Sequence, residues 1–404
     1  MNLQSGTYYW PSTYPGAPSY PSLHEDLNCD VLIIGGGSSG AQCAYYLADS
    51  RLDVVVIEKN TVGSGSTSAN TAIIQYSGEK LFTDLVHMFG EKSISRHLEL
   101  CREAINDIEE ASQTVEGDFE FKRRDSLYFA SYPEDVERLK KEYGLLKQNQ
   151  FELEFLKSEE IEQKYGFKKE AALYSYNDAE MNPFKFTHSL LNHAAKKGVH
   201  IFEQTEMTGH SYDQERDRVT VRTNTSHLIH ARRVIYCAGY EGIDIKKEKK
   251  ASFVSTYTVT TKSVNDLSFW YKQTLIWETA RPYTYMRTTA DNRIIIGGLD
   301  ENTSYPEVRD SKLMHKKDKL IQEFNKLFPA IHLEIDYYLT AFYGGMIDGM
   351  PMIGVYDELP NSYFLFGFGD NGTVYSQMLA KIIVEEIVEG KNKDINLYLK
   401  ERAL

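Results

Sequence analysis

DVLIIGGGSSGAQCAYYLADSRLDVVVIEK, residues Asp30 to Lys59, contains in order every part of a βαβ unit that cradles a dinucleotide. Asp30 to Ile34 is a short apolar run suited to a buried strand, and Gly35-x-Gly37-x-x-Gly40 follows at once. A helix comes next, with Ala41, Ala44, Tyr45, Leu47 and Ala48 on its apolar side, and Asp53 to Ile57 supplies a second buried strand. Glycine permits the tight turn and the close backbone approach, while the helix N-terminus offers free N–H groups and a positive dipole end to a pyrophosphate. Ser38 and Ser39 open that helix. Glu58, at the end of the second strand and followed by Lys59, is placed to accept hydrogen bonds from ribose hydroxyls. Glycine-rich turns occur in many folds; the flanking strands, the intervening helix and the acid at the right distance give this one its weight. The acid disfavours a 2′-phosphate, and so NADP, but leaves NAD and FAD open.

Thr61 to Ile74 follows, rich in small and hydroxyl residues and too polar for a core element. Directly after the ribose acid, such a segment supplies N–H and hydroxyl donors to a pyrophosphate; a flexible loop is the competing reading. From Phe82 to Phe151 the chain turns helical and charged, with Leu98, Cys101, Ala104, Ile105 and Ile108 at helical spacing, as though inserted into the nucleotide fold. Tyr174 to Asn182 leads through Pro183 into a helix, Phe186 to Lys197, which Gly198 closes, and Val199 to Phe202 returns as a strand. Asp217 to Ala231 reads as a hairpin, and Arg232 to Gly239 as a buried strand ending in the small residues Ala238 and Gly239, which admit a ligand closely.

Residues 247 to 300 are rich in Thr, Tyr, Val and Ile, the composition of an antiparallel sheet. Within them Tyr283-x-Tyr285-x-Arg287 shares one strand face at period two. Arg287, in a strand otherwise built for burial, needs a partner: a structural carboxylate, or a substrate or cofactor group. Leu313 to Phe328 is an amphipathic helix. Two glycine-rich loops then follow, Gly344 to Gly354 and Gly367 to Gly372, the second running into a helix from Thr373 to Val388. That turn aims another helix N-terminus at whatever lies before it.

A chain of 404 residues exceeds one ordinary core, so two domains are expected. Hydrophobic content of 42% and charged content of 25% are those of a globular protein, and a net charge of -13 disfavours a nucleic-acid footprint. No apolar run reaches bilayer length and no signal-peptide pattern opens the chain, so the expected location is cytoplasmic, with neither membrane nor nucleic acid as partner. Cys29, Cys43, Cys101 and Cys237 are far apart and read as buried thiols rather than disulfides or metal ligands; no metal is expected. Residues 1 to 28 carry Tyr8, Tyr9 and Trp10 among several prolines. They are expected to be non-helical and to lie across their own protein, with an oligomer contact as the alternative.

Several ordered motifs together make the chain resemble the D-amino-acid oxidase family of flavoproteins, which includes glycine and sarcosine oxidases, and especially its γ-glutamylputrescine oxidase-like branch. They are the arm ending in Tyr20-Pro21-Ser22-Leu23, DVLIIGGGSSG with Glu58, GSGSTSAN from Gly63 to Asn70, and NPFKF from Asn182 to Phe186. They continue with VIYCAG from Val234 to Gly239, YMRTTADNRIIIGG from Tyr285 to Gly298, and DGMPMIG from Asp348 to Gly354. The resemblance decides for FAD over NAD. It implies that Gly35, Gly37 and Gly40 face the pyrophosphate, Glu58 the adenosine ribose, and that Ser66, Thr67 and Ser68 lie along the cofactor with Ala238 and Gly239 beside it. Gly345 and Gly369, Asp370, Asn371, Gly372 and Thr373 would border the isoalloxazine.

The implied chemistry is oxidation of a C–N bond by hydride transfer to flavin N5, hydrolysis of the imine, and reoxidation by oxygen to hydrogen peroxide. A dehydrogenase with another acceptor, or a flavin-binding protein without turnover, remain alternatives. Asp370-Asn371 departs from the histidine of many relatives, the segment before Asp348 is shorter than usual, and no cysteine or histidine occupies the positions expected for covalent flavin links. The FAD is therefore expected to be non-covalent. The expected architecture is α/β, with a Rossmann-like FAD domain (1–83, 177–246, 335–404) interleaved with a substrate domain on an antiparallel sheet (84–176, 247–334). Arg287, Tyr285 and Tyr343 are expected on the substrate side, Arg287 as a carboxylate clamp and the tyrosines as walls and hydrogen-bond partners.

Overall fold

The apolar run before the glycine turn becomes the strand Leu27–Ile34, at the centre of an eight-stranded sheet. In the computed structural model, which describes residues 2–402, the strands Leu359–Phe366, Leu228–Tyr236, Leu27–Ile34, Val54–Ile57 and His200–Phe202 run parallel in that order. Val31, Leu32 and Ile33 are all buried, as a strand covered on both faces requires. One face is covered by the helix Ser38–Leu47, packed between Pro183–Lys196 and Gly372–Glu389. Asn182 caps the second of these helices, its Oδ1 accepting from Lys185 N at 3.1 Å, and Pro183 takes the first position, where its missing N–H costs nothing.

The expected hairpin forms between Arg218–Thr223 and Leu228–Tyr236, joined by a further strand, Met207–Asp213. Its return arm and the buried strand expected after it are one element. Leu228–Tyr236 pairs antiparallel with the hairpin and parallel with Leu27–Ile34, and its last residues are buried on both faces.

The second sheet has ten strands in the order Gln4–Gly6, Ile335–Met346, Ala251–Thr261, Ile294–Glu301, Thr284–Thr288, Leu275–Glu278, Lys122–Phe129, Ala171–Glu180 and Ile73–Ile74, with Leu153–Lys157 also on Ala171–Glu180. Its pairings are antiparallel except for Leu275–Glu278 on Lys122–Phe129. The helix Leu313–Leu327 covers Ala251–Thr261 and Ile294–Glu301.

The expected boundaries shift here. Ile335–Met346, allotted by sequence to the first domain, is a long strand of the second sheet, paired from Ala251 to Thr261. The helix Glu91–Thr114, allotted to the second, packs on Gly372–Glu389 of the first.

The N-terminal arm does lie across its own chain. Trp10 is buried and donates from Nε1 to Asn70 O at 2.5 Å, and Tyr9 donates to Asp291 Oδ1 at 2.6 Å. It is not free of helix, however: Tyr9–Ser12 forms one turn in which Pro11 removes no bond, because N–H groups of a first turn have no partner within the helix. All four cysteines are free and buried, and Cys43 Sγ lies 3.8 Å from Cys237 Sγ. Among the described residues no helix is long and apolar enough to cross a membrane.

Candidate active site

The glycine turn folds as its spacing demands. Gly35 has φ +114°, and a Cβ there would meet Cys237 O at 2.3 Å; a Cβ on Gly40 would meet Gly35 O at 1.9 Å. Strand, turn and helix therefore close on one another only with glycine at both places. The helix Ser38–Leu47 starts from Gly37 with no side-chain cap. Ser38 N donates to Thr67 Oγ1 at 3.0 Å, and Ser38 Oγ is buried without a hydrogen-bond partner. Glu58 is held from both sides, Oε2 accepting from Gly36 N at 2.8 Å and Oε1 from Asn60 N at 2.9 Å. Burial raises its pKa while these bonds work in the opposite direction.

These groups line a cleft of about 520 Å³. From the turn come Gly35, Gly37, Ser38 and Ser39; from the second strand Glu58 and Lys59. Ser66 and Thr67 form one wall, Ala238 and Gly239 another, and Gly372 and Thr373 bring in the second helix N-terminus. Lys59 also pairs with Glu241 at 2.7 Å.

A second cavity of about 140 Å³ adjoins the cleft through the shared residues Ser66, Asn70, Tyr240 and Gly372. Gly369, Asp370 and Asn371 border it, as do Tyr285 and Tyr343. Tyr285 stands opposite Gly297 on the neighbouring strand, and a Cβ on Gly297 would come within 2.5 Å of the tyrosine ring. The missing side chain makes the room the ring occupies. Burial raises the Tyr285 and Tyr343 phenols, so both are neutral hydrogen-bonding groups. Asp370 accepts from Glu79 N, and Asn371 Nδ2 donates to Ser77 O at 2.8 Å, which ties this loop to residues 77–79. Burial, with the charge of Glu79 adding to it, pushes the Asp370 carboxyl up to about 7.

Four expected site residues lie elsewhere. Arg287 is fully buried and is not among the residues lining either space, donating to Ala72 O at 2.7 Å and Met181 O at 3.0 Å, with Trp10 over it at 5.2 Å. Two backbone carbonyls therefore receive this cation, while its Nε is buried without a hydrogen-bond partner. Gly40 serves helix packing. Ser68 Oγ donates inward to Gly63 O at 2.6 Å, and Gly345 pairs within the second sheet opposite Ser252.

In exchange, Tyr240, Trp277, Tyr283, Asp300 and Phe342 line the second cavity. Of these only Tyr283 stood in a pattern visible in the sequence, the period-two run with Tyr285.

The model of the FAD dependent oxidoreductase family, DAO, matches residues 30–386. The chain belongs to this family of flavoenzymes. It is similar to γ-glutamylputrescine oxidoreductase of Escherichia coli (strain K12), 22% identical over 95% of this chain and 89% of that one. A Bacillus subtilis (strain 168) protein named for a Rieske 2Fe-2S iron-sulfur centre is 25% identical over 98% of this chain and 75% of its own length. Among solved structures, glycine oxidase from Geobacillus kaustophilus superposes with a TM-score of 0.75 at 19% identity, covering 91% of this chain and 96% of that one. The DAO cofactor fits the residues present. The cradle closes only around glycine, the Ser38 hydroxyl has an open bonding capacity at the cleft, and two helix N-termini face the same space.

Proposed function

We propose that the chain oxidises the C–N bond of a small amine or amino acid, using FAD held without a covalent bond. One observation carries this reading: the N-terminus of Gly372–Glu389 stands where the dinucleotide cleft meets a cavity walled by aromatic rings. Gly35, Gly37, Ser38 and Ser39 would hold the pyrophosphate, Glu58 the ribose, and Gly369 to Thr373 the far end of the cofactor. Bound there, FAD supplies a two-electron acceptor for the C–N bond, after which water hydrolyses the imine and oxygen restores the cofactor with release of hydrogen peroxide.

The chain's own groups support that chemistry. The helix end at Gly372 and Thr373 favours negative charge where it develops. Asp370, with a carboxyl near 7, is not a fixed anion beside it at neutral pH. Trp277 and Phe342 exclude water, so that an amine entering the cavity is favoured in its neutral form, the form that can be oxidised. Tyr285 and Tyr343 would be walls and hydrogen-bond partners. Among the described residues Cys237 is the one cysteine lining the cleft, and its sulfur faces Cys43, which supports non-covalent binding.

A panel of amines and N-methyl amino acids assayed for hydrogen peroxide tests the reading. Peroxide formed in proportion to substrate consumed supports it. Anaerobic reduction by substrate with slow return in air would assign a dehydrogenase instead. FAD that binds and is never reduced by any member would overturn it.

A further inference from the structure

The wall of the second cavity has a one-sided charge. Asp300 and Asp370 line it together with the rings of Tyr240, Trp277, Tyr283 and Tyr285, and among the described residues no lysine or arginine does. The cations nearby are engaged elsewhere. Arg281 lies against Tyr283 at 4.9 Å, pairing with Glu79 at 3.1 Å and donating to Ala280 O at 2.8 Å. Lys316 donates to Leu299 O at 2.8 Å and pairs with Glu301 at 2.6 Å. Lys80 donates to Ile347 O at 2.5 Å, and Arg287 is held by two carbonyls.

Asp300 is the open valence of this wall. It is the last residue but one of the strand Ile294–Glu301, and its Oδ1 is buried with no hydrogen-bond partner. It shares the cavity wall with the rings of Tyr283 and Tyr285, whose phenols burial and, after it, the charge of Asp300 raise. Burial pushes its carboxyl up to about 6, the state of an acid that lacks a close counter-charge. A cation would supply one, and aromatic walls attract a cation further.

We propose that the cavity selects an amine bearing a second cationic group and no carboxylate, a diamine or polyamine, and that Asp300 binds the ammonium that is not oxidised. This rests on the amine-oxidation reading above and narrows it. An α-amino acid would bring its carboxylate toward Asp300, with no lysine or arginine among the described lining residues to receive it. The division of labour follows from protonation. A carboxylate beside an ammonium holds it charged. The reacting nitrogen must be neutral, so an anchoring carboxylate is useful only at the other end of the substrate.

Three compounds of one chain length decide the matter: 1,4-diaminobutane, 1-aminobutane and 4-aminobutanoate. Each is titrated into the FAD-loaded protein under argon, reading both flavin bleaching and heat of binding, for the native chain and for Asp300→Asn. The diamine is expected to bind about tenfold or more tighter than the monoamine, with the amino acid weakest. Asp300→Asn should remove most of that preference, weakening the diamine about tenfold more than 1-aminobutane.

Tighter binding of 4-aminobutanoate, of glycine or of sarcosine than of the diamine overturns the proposal and leaves amine oxidation standing. Equal weakening of all three compounds in Asp300→Asn also overturns it. Heat of binding that favours the diamine through Asp300, with no bleaching by any compound, upholds the cavity's selectivity and refutes the oxidation reading instead. Should Asp300→Asn fail to fold or to hold FAD, the order of the three compounds on the native chain decides alone.

Discussion

Arg287 and Glu58 are both charged residues placed by the fold, yet only one was legible in the sequence. Glu58 follows its glycine turn at a fixed distance within one local unit, and local geometry carries its role. Arg287 donates to Ala72 O and Met181 O, carbonyls 215 and 106 positions away, and nothing in its neighbourhood along the chain encodes them. In the fold it bonds two buried backbone carbonyls and lies 5.2 Å from the Trp10 ring. Arg287→Met should therefore lower stability by about 2–4 kcal/mol, since each buried carbonyl left unpaired costs about 1–3 kcal/mol. Thermal unfolding would register the loss, while amine affinity should stay within about twofold; a large rise in KM at unchanged stability would restore the clamp. Gly40→Ala places a methyl 1.9 Å from Gly35 O. The turn must open, and the purified variant should carry little or no FAD by its visible absorbance, whereas full occupancy would mean the cradle is looser than its geometry.

At the scale of elements, the strands and helices around the first turn were legible because their apolar runs have lengths and punctuation that admit one reading. The edge of the first domain was not. Ile335–Met346 has the composition of either sheet, and only its long pairing with Ala251–Thr261 assigns it. Asp300 and Trp277 escaped notice for a related reason: each is the last residue but one of an ordinary strand, and the cavity exists only where six strands and the loops before Ile73 and Gly372 converge.

The strand Ala171–Glu180 carries a further consequence of burial. Asp178 is fully buried, accepting from Ser126 Oγ at 2.5 Å and from Tyr76 N at 3.2 Å, and burial pushes its carboxyl up to about 7. The folded chain thus binds this proton more tightly than the unfolded chain does. The contribution to stability is fully present below the ordinary carboxylate range and is lost as pH rises toward 7. Melting temperature should fall between pH 5 and pH 8, with Asp300 and Asp370 acting in the same direction. Asp178→Asn keeps the shape and can still hydrogen-bond both partners, so it should flatten the decline and melt above the native chain at pH 8. An unchanged pH profile would mean that Asp178 titrates normally.

Across the whole molecule, two sheets meet at one composite site: the first supplies the dinucleotide cleft, the second most of the cavity wall, and the loop before Gly372–Glu389 joins them. A cofactor bridging that junction stabilises the folded chain by mass action. FAD at about one hundred times its Kd should add about 2.7 kcal/mol, readable as a rise in melting temperature over the stripped protein, and an unchanged melting temperature would deny the junction a ligand.

In the proposed reaction a flavin held between the two helix ends takes electrons from an amine in the aromatic cavity. The most direct measurement is the visible spectrum of the FAD-loaded protein under argon before and after adding 1,4-diaminobutane. One FAD per chain is expected, with bleaching of its long-wavelength band at a rate that saturates with the amine. A colourless protein that takes up no FAD, or a bound flavin that stays oxidised with this and every other amine, would contradict it.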